Sequence, residues 1–211
     1  MADRFVQAIV LVPDLESARH RMESIGLTVL EGGRHPGRGT ANLIVPFGAH
    51  YLELLAVVDE SQARSSPQGR PVVDALSRRG PGLARWSVET TDIEATARRV
   101  GYPVEQRRRL LVDGTEVRWR AVAVDASWHQ PWRCAFMAWD DPDLHPARAD
   151  GVVHANGATG FARLDLDVPD AASLSTWLGG DVPDGVTVCG QGDCGPTALF
   201  LASPSGEILV A

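Results

Sequence analysis

His35-Pro-Gly-Arg-Gly-Thr-Ala-Asn-Leu-Ile-Val45 runs through Pro46-Phe-Gly-Ala-His50 into Tyr51-Leu-Glu-Leu-Leu-Ala-Val57. A Gly-rich turn, an apolar strand, a tight turn and a second strand follow one another in this stretch. Side chains alternate along a strand, so Tyr51, Glu53 and Leu55 share one face and Leu52, Leu54 and Ala56 the other. Glu53 is the residue that needs a reason. Burying a carboxylate is costly unless it is paired, hydrogen-bonded or bound to a metal. Either Glu53 looks into a polar cavity or it sits on a solvent face.

Upstream, Phe5 to Val12 alternates and is rich in Val and Ile, as a strand should be. Pro13-Asp14 stops it, and Asp14 is a good N-cap for a helix through Leu15, Ala18 and Met22 that ends before Gly26. Leu27 to Leu30 reads as a short second strand, and Gly32, Gly33, Gly37 and Gly39 as the loop that enters the opening stretch. Downstream, residues 58–80 read as a connector in which Val72 to Arg79 forms a short helix. The pattern then returns. Leu83 to Glu89 is a strand with Trp86 on its apolar face, and Thr91 or Asp92 caps a helix through Ile93, Ala97 and Val100. Val104 to Arg109, Glu116 to Val124 and Arg133 to Asp140 are strands, with Ser127 to Trp132 a loop. After a polar linker the order starts a third time. Phe161 to Val168 is followed by Pro169-Asp170, a helix over Ala171 to Leu178 and three short strands. Val12-Pro13-Asp14 and Val168-Pro169-Asp170 match after equivalent strands.

The chain is therefore expected to be α+β, built of repeated βαβββ modules. Module one covers 1–57, a connector 58–80, module two 81–140, a linker 141–158, and a short third βαβββ-like module 159–211. Such sheets bury one apolar face under helices and leave the other free to curve around a ligand. The third module is an orphan half whose unpaired edges favour a homodimer.

Composition narrows the function classes. All 20 basic residues are Arg, and the net charge is −7. An acidic chain argues against general nucleic-acid binding, which needs a basic face. The one basic run, Arg107-Arg108-Arg109, reads as a solvated strand end or loop. No apolar run reaches the roughly 18 residues that span a membrane. The N-terminus lacks a signal-peptide pattern, so the expected location is cytoplasmic. Cys134, Cys189 and Cys194 read as reduced thiols; Cys189 and Cys194 lack the further ligands that zinc needs. His145 and His154 read as surface residues of the linker, and the Trp128–Trp132 cluster around His129 as a hydrophobic plug.

Several of these elements together resemble the vicinal oxygen chelate superfamily, and most closely its glyoxalase-like domain proteins. The resemblance rests on Val12-Pro13-Asp14-Leu15, on His35-Pro-Gly-x-Gly-Thr40-x-Asn42 and on Tyr51-Leu-Glu53-Leu. It also rests on Gly82-Leu-Ala-x-Trp86 with Thr91-Asp-Ile, and on Phe136-x-x-Trp139-Asp leading to His145-Pro-Ala. It implies paired modules forming a curved mixed-sheet bowl, helices on the convex face and a small organic ligand on the concave one. The superfamily's enzymes usually hold a divalent metal with His or Glu residues on first and last strands. Those positions fall here on Gln7, Glu53, Arg85 and the neighbourhood of Met137, and in the third module on Arg163 and Val210 or Ala211. Arg85 cannot ligate a cation. No tightly bound metal or other cofactor is therefore expected, although Gln7 and Glu53 leave a divalent ion conceivable.

Glu53 and Arg85 become the candidate catalytic pair, a base and a guanidinium standing where a metal's charge would be. Arg85 would either pair with Glu53 or bind an anionic ligand. Gln7, His35, Thr40, Asn42, Tyr51, Trp119 and Trp139 are candidate ligand contacts, with His35 and Thr40 alternatively bonding their own loop. The function expected is small-molecule binding in the concave pocket. The alternative is a lyase, isomerase or dioxygenase-type enzyme using Glu53.

Overall fold

The computed structural model describes residues 3–111, 113–149, 151–191 and 195–211. Cys194 lies outside these; Cys134 is buried and Cys189 exposed, both as free thiols. The first half runs β1 (Arg4–Leu11), α1 (Leu15–Ser24), β2 (Leu30–His35), β3 (Thr40–Pro46) and β4 (Tyr51–Val57). Then come α2 (Glu60–Ser65), α3 (Arg70–Arg79), β5 (Gly82–Glu89) and α4 (Ile93–Val100). They lead into β6 (Glu105–Leu110), β7 (Glu116–Val122), α5 (Val124–His129) and β8 (Ala135–Trp139). The last unit is β9 (Gly160–Val168), α6 (Ala171–Leu178), β10 (Val186–Gln191), β11 (Gly195–Ser203) and β12 (Gly206–Leu209). The repeated Asp after a strand is a helix cap each time. Asp14, Asp92 and Asp170 accept from the backbone N–H of Ser17, Ala95 and Ser173 at 2.7–2.8 Å.

The curved sheet expected from two modules is present, and it closes into a barrel with the order β1-β4-β3-β2-β6-β7-β8-β5. Two seams join the halves. β1 lies antiparallel to β5 along nearly its whole length, whereas β2 and β6 meet at one register pair, Arg34 with Leu110. The second seam explains a misplaced strand. Gly32 and Gly33 are not loop residues but lie within β2, which starts at Leu30, where the sequence pattern put the strand's end. A Cβ on Gly33, whose φ is +113°, would come within 2.1 Å of the Leu110 carbonyl oxygen, and a Cβ on Gly32 within 2.1 Å of Asn42 Oδ1. These glycines permit close approach rather than a turn.

Strands β1, β3 and β4 are buried on both faces, which is why they read as nearly continuous apolar runs. Ile9, Leu11, Ile44, Tyr51 and Leu55 point inward with Ala121 and Met137, while Phe5, Ala8, Val10, Leu52 and Leu54 point outward. Helices α1 and α4 cover the outside of the two halves. The last unit covers the β1–β5 seam: Phe161, Leu164, Leu199 and Leu201 join one core with Phe5, Trp86 and Val88.

That last unit has the expected βαβββ element order but a different strand order, β10-β9-β11-β12. In the first half β1 is parallel to β4; here β9 sits between a parallel β10 and an antiparallel β11. The strands left at its edges are β10 and β12.

Three local expectations are corrected. Residues 127–132 are not simply a loop, because α5 begins at Val124 after Ala123, whose φ is +61°. The connector holds a second helix, α2, capped by Asp59. His145 and His154 are buried, not on the surface. His154 accepts from the Thr28 backbone N–H through Nδ1 at 3.0 Å, so its Nε2–H donates to the Pro46 carbonyl at 2.9 Å. This ring ties the linker to the first half together with Thr28 Oγ1, which donates to the Val153 carbonyl at 2.6 Å, and Asn156 Nδ2, which donates to the Ile25 carbonyl at 2.7 Å. Among the described residues no helix is long and apolar enough to cross a membrane.

Candidate functional site

The barrel encloses a cavity of about 80 Å³. Strand register decides what faces it. Ile9 of β1 is opposite Glu53 on one side and Arg85 on the other, so all three share the inward face. Glu53 and Arg85 are thus two strand spacings apart, roughly 10 Å at the backbone. They form no ion pair.

Glu53 is held by amides instead. Gln7 Nε2 donates to its Oε2 at 2.5 Å and Asn42 Nδ2 to its Oε1 at 2.7 Å. Gln7 is oriented in turn by Ser87, whose hydroxyl donates to Gln7 Oε1 at 2.6 Å. Arg85 makes only a long contact to Ser87 Oγ at 3.4 Å and lies over the Trp128 ring at 5.1 Å. Burial pulls its guanidinium down to about 10, with Glu53 partly opposing the shift. Trp128, the plug of the sequence reading, covers the lumen from α5 together with Val124, and Val72 does so from α3.

His35 and Thr40 face the cavity and also bond each other, His35 Nδ1 to Thr40 Oγ1, at 2.9 Å. Burial, and then the charges of Arg38, Arg109 and Arg107, hold the imidazole at about 3, so it is neutral. Tyr51 sets its ring edge-on to Trp139 and to His145. Burial first, then Glu53, keeps its phenol protonated well above the ordinary range. Trp119 and Trp139 are register partners and stack at 5.1 Å on the cavity wall. All nine candidate residues therefore meet in one place, together with Arg38, Gln68, Arg107, Arg109 and Pro146.

The Arg107–Arg109 run is corrected by the same register logic. β6 is a strand, so Arg107 and Arg109 point inward and are 7% and 6% exposed, while Arg108 points out. Arg107 pairs with Glu105 at 2.5 Å. The signal was present in the i, i+2 spacing, but a charge run alone does not show which face is covered. Arg38 lies in the turn between β2 and β3, where alternation assigns no face, and it reaches the cavity wall.

The model for the glyoxalase-like domain matches residues 8–181. The chain belongs to this family. No curated protein matches it. Among solved structures, a hypothetical protein from Staphylococcus aureus is 15% identical with a TM-score of 0.66, over 98% of this chain and 84% of that one. Methylmalonyl-CoA epimerase from Mycobacterium tuberculosis is 21% identical with a TM-score of 0.45, over 67% and 90%. The Streptomyces coelicolor epimerase in complex with 2-nitronate-propionyl-CoA is 19% identical with a TM-score of 0.45, over 65% and 96%. The first likeness shows the fold. The epimerase likenesses carry no argument about this chain's ligand.

In this glyoxalase-like chain the residues at the superfamily's metal positions do not suit a divalent cation. Gln7 turns its NH₂ inward because its oxygen is taken by Ser87, Arg85 is a cation, and Met137 is a weak, soft donor. Glu53 alone is a hard anionic ligand there.

Proposed function

We propose that this glyoxalase-like protein binds a small organic molecule in the barrel lumen without a tightly bound metal. The observation that carries the reading is Glu53: a buried carboxylate on the cavity wall, held by the side-chain amides of Gln7 and Asn42 rather than by an arginine among the described residues. A cavity of about 80 Å³ is small beside ordinary ligand pockets of roughly 300–1,000 Å³. It admits a ligand of few heavy atoms unless the α3–α5 cover moves. Trp119, Trp128 and Trp139 line the cavity, so ligand entry changes their fluorescence. Titrating a panel of small neutral and charged carbonyl compounds while reading that fluorescence tests the proposal. A saturable change lost in Trp139→Phe supports it; no response from any compound sinks it. Stoichiometric metal in the purified protein that disappears in Glu53→Ala would overturn the metal-free half.

A second reading is favoured by the position of Glu53, whose carboxylate lines the lumen and is held in a fixed orientation by two amide donors, where a bound ligand would meet it. Glu53 would remove a proton from the carbon beside a ligand carbonyl. The C–H electron pair would become the C=C bond of an enolate while the carbonyl π pair moves onto the oxygen, faced by Arg85. In an isomerase the proton then returns to carbon, and in a lyase the enolate re-forms the carbonyl by expelling a β-leaving group, which carries the proton away. Deuterium incorporation from solvent into a bound ligand, present in the wild type and absent in Glu53→Gln, separates this reading from binding alone.

A further inference from the structure

We propose that the lumen contains an anion subsite in which Arg38, Arg85 and Arg109 clasp the carboxylate or phosphate group of a compact ligand. This rests on the lumen being the ligand site and names the class of ligand it takes.

The cavity wall carries four guanidiniums, those of Arg38, Arg85, Arg107 and Arg109. Two carboxylates answer them. Glu53 is on the wall, and Glu105 pairs with Arg107 from outside it. Two positive charges are left over. Among the described residues Arg38, Arg85 and Arg109 have no ion pair within 4.0 Å. Arg85 and Arg109 are each 6% exposed, and the buried Nε of each has no hydrogen-bond partner. An Arg side chain does not shed its charge when buried, and a buried guanidinium without an acceptor is costly. The neighbouring groups register the resulting field. Burial lowers both Arg85 and Arg109, and the charges of Arg38, Arg109 and Arg107 add to burial in holding His35 neutral.

A packing role accounts for part of this. Arg85 lies on Trp128, a cation–π contact that also covers the lumen. Arg109 has no such ring contact and no hydrogen bond among the described residues, so packing leaves its charge unexplained. An oxyanion explains it. The planar fork of a guanidinium matches carboxylate and phosphate oxygens two at a time. The size of the cavity limits the ligand to a compact anion, and Glu53 repels any anionic group from its own side of the lumen.

The test is calorimetric titration of the full chain with malonate and, separately, with inorganic phosphate, at ionic strength fixed with chloride. Malonamide serves as the uncharged isostere of malonate. Saturable binding of either anion, at least tenfold weaker in Arg109→Met and unchanged in the exposed Arg108→Met, is the expected result. Glu53→Gln removes the repelling charge and tightens the same anion. Thermal melting of ligand-free Arg109→Met is expected at or above the wild-type temperature, because an unanswered buried charge has gone. If Arg109→Met fails to fold, the half-buried Arg38→Met takes its place in the titration. Malonamide binding as tightly as malonate, with no effect of Arg109→Met, overturns the anion subsite and leaves the lumen as a ligand site. Binding of neither anion also overturns it. The failure of every compound to change the lumen tryptophans would remove the underlying reading as well.

Discussion

Gln7 turns its amide nitrogen, not its oxygen, toward Glu53, donating to Oε2 at 2.5 Å. The orientation follows from Ser87, which occupies the Gln7 oxygen. A position that in related enzymes supplies a metal ligand here supplies a hydrogen-bond donor to the carboxylate. The chain Ser87–Gln7–Glu53–Asn42 spans β5, β1, β4 and β3, so one polar network crosses the β1–β5 seam. Networks of this kind are costly when half satisfied.

The first prediction concerns that network. Glu53→Gln keeps the shape of the side chain but turns one acceptor into a donor facing the NH₂ of Gln7 or Asn42. One buried donor is then left without a partner, which costs about 1–3 kcal/mol. Urea unfolding at neutral pH is expected to show a loss of that size, with the protein still folded. Ser87→Ala, which frees the Gln7 oxygen, is expected to cost about 1 kcal/mol. A Glu53→Gln variant as stable as the wild type would mean that the network contributes nothing.

The second prediction concerns the linker clamp. His154 joins the Thr28 N–H to the Pro46 carbonyl, 126 and 108 residues away in sequence. His154→Ala leaves the buried Pro46 carbonyl and the part-buried Thr28 N–H without their partner and removes a ring packed against Phe47 at 4.7 Å. The expected destabilisation is about 2–4 kcal/mol. Hydrogen exchange at Thr28 should accelerate well beyond that of the α1 amides. Unchanged protection at Thr28 would show that the clamp is not holding this segment.

Strand alternation within a single element put Tyr51 and Glu53 on one shared face, whereas Gln7 and Arg85 followed from the family resemblance and His35, Thr40 and Asn42 from the glycine-rich turn. Counting gives that shared face but not that it is the inner one, which only the closed barrel decides. What the sequence concealed depends on partners far along the chain. Gly32 and Gly33 looked like loop glycines because the contacts that require them, Asn42 and the distant Leu110 carbonyl, are invisible locally. Arg107 and Arg109 looked solvated because a charge run is ordinarily a solvent face, and only barrel closure turns that face inward. His154 looked like a surface residue because it lies in a polar linker and its partners, Thr28 and Pro46, are 126 and 108 residues away. The strand order of the last unit follows from where β10 pairs, which the shared Val-Pro-Asp motif does not determine.

The third prediction tests the seam that the glycines permit. At Gly33 an added Cβ would meet the Leu110 oxygen at 2.1 Å, and the φ of +113° is one that a side chain strains. β2 and β6 touch at a single register pair, so no neighbouring ladder compensates for a local opening. Gly33→Ala is expected to cost about 3 kcal/mol or more. Gly37→Ala is a matched comparison: its φ is +69° but no atom lies within 4 Å of the added Cβ, so only the backbone term, about 1 kcal/mol, is expected. Equal losses in the two variants would show that the close approach at the seam carries no cost of its own.

The fourth prediction concerns pH. Burial, reinforced by Arg38, Arg109 and Arg107, holds His35 at about 3, against an ordinary 6.5. Because the folded value is the lower one, the unfolded chain takes up this proton first as pH falls. The stabilising contribution is therefore complete above about pH 6.5 and is lost progressively as pH drops toward 3. Between pH 7 and pH 5 this one group is expected to remove about 2 kcal/mol. His145, lowered to about 4 chiefly by burial, acts in the same direction. His35→Gln still offers Thr40 a hydrogen-bond partner but has no proton to take up. Its urea-derived stability should fall less than that of the wild type over the same interval, by about 2 kcal/mol. Parallel curves for the two proteins would place the acid sensitivity elsewhere and would mean that burial does not hold His35 neutral.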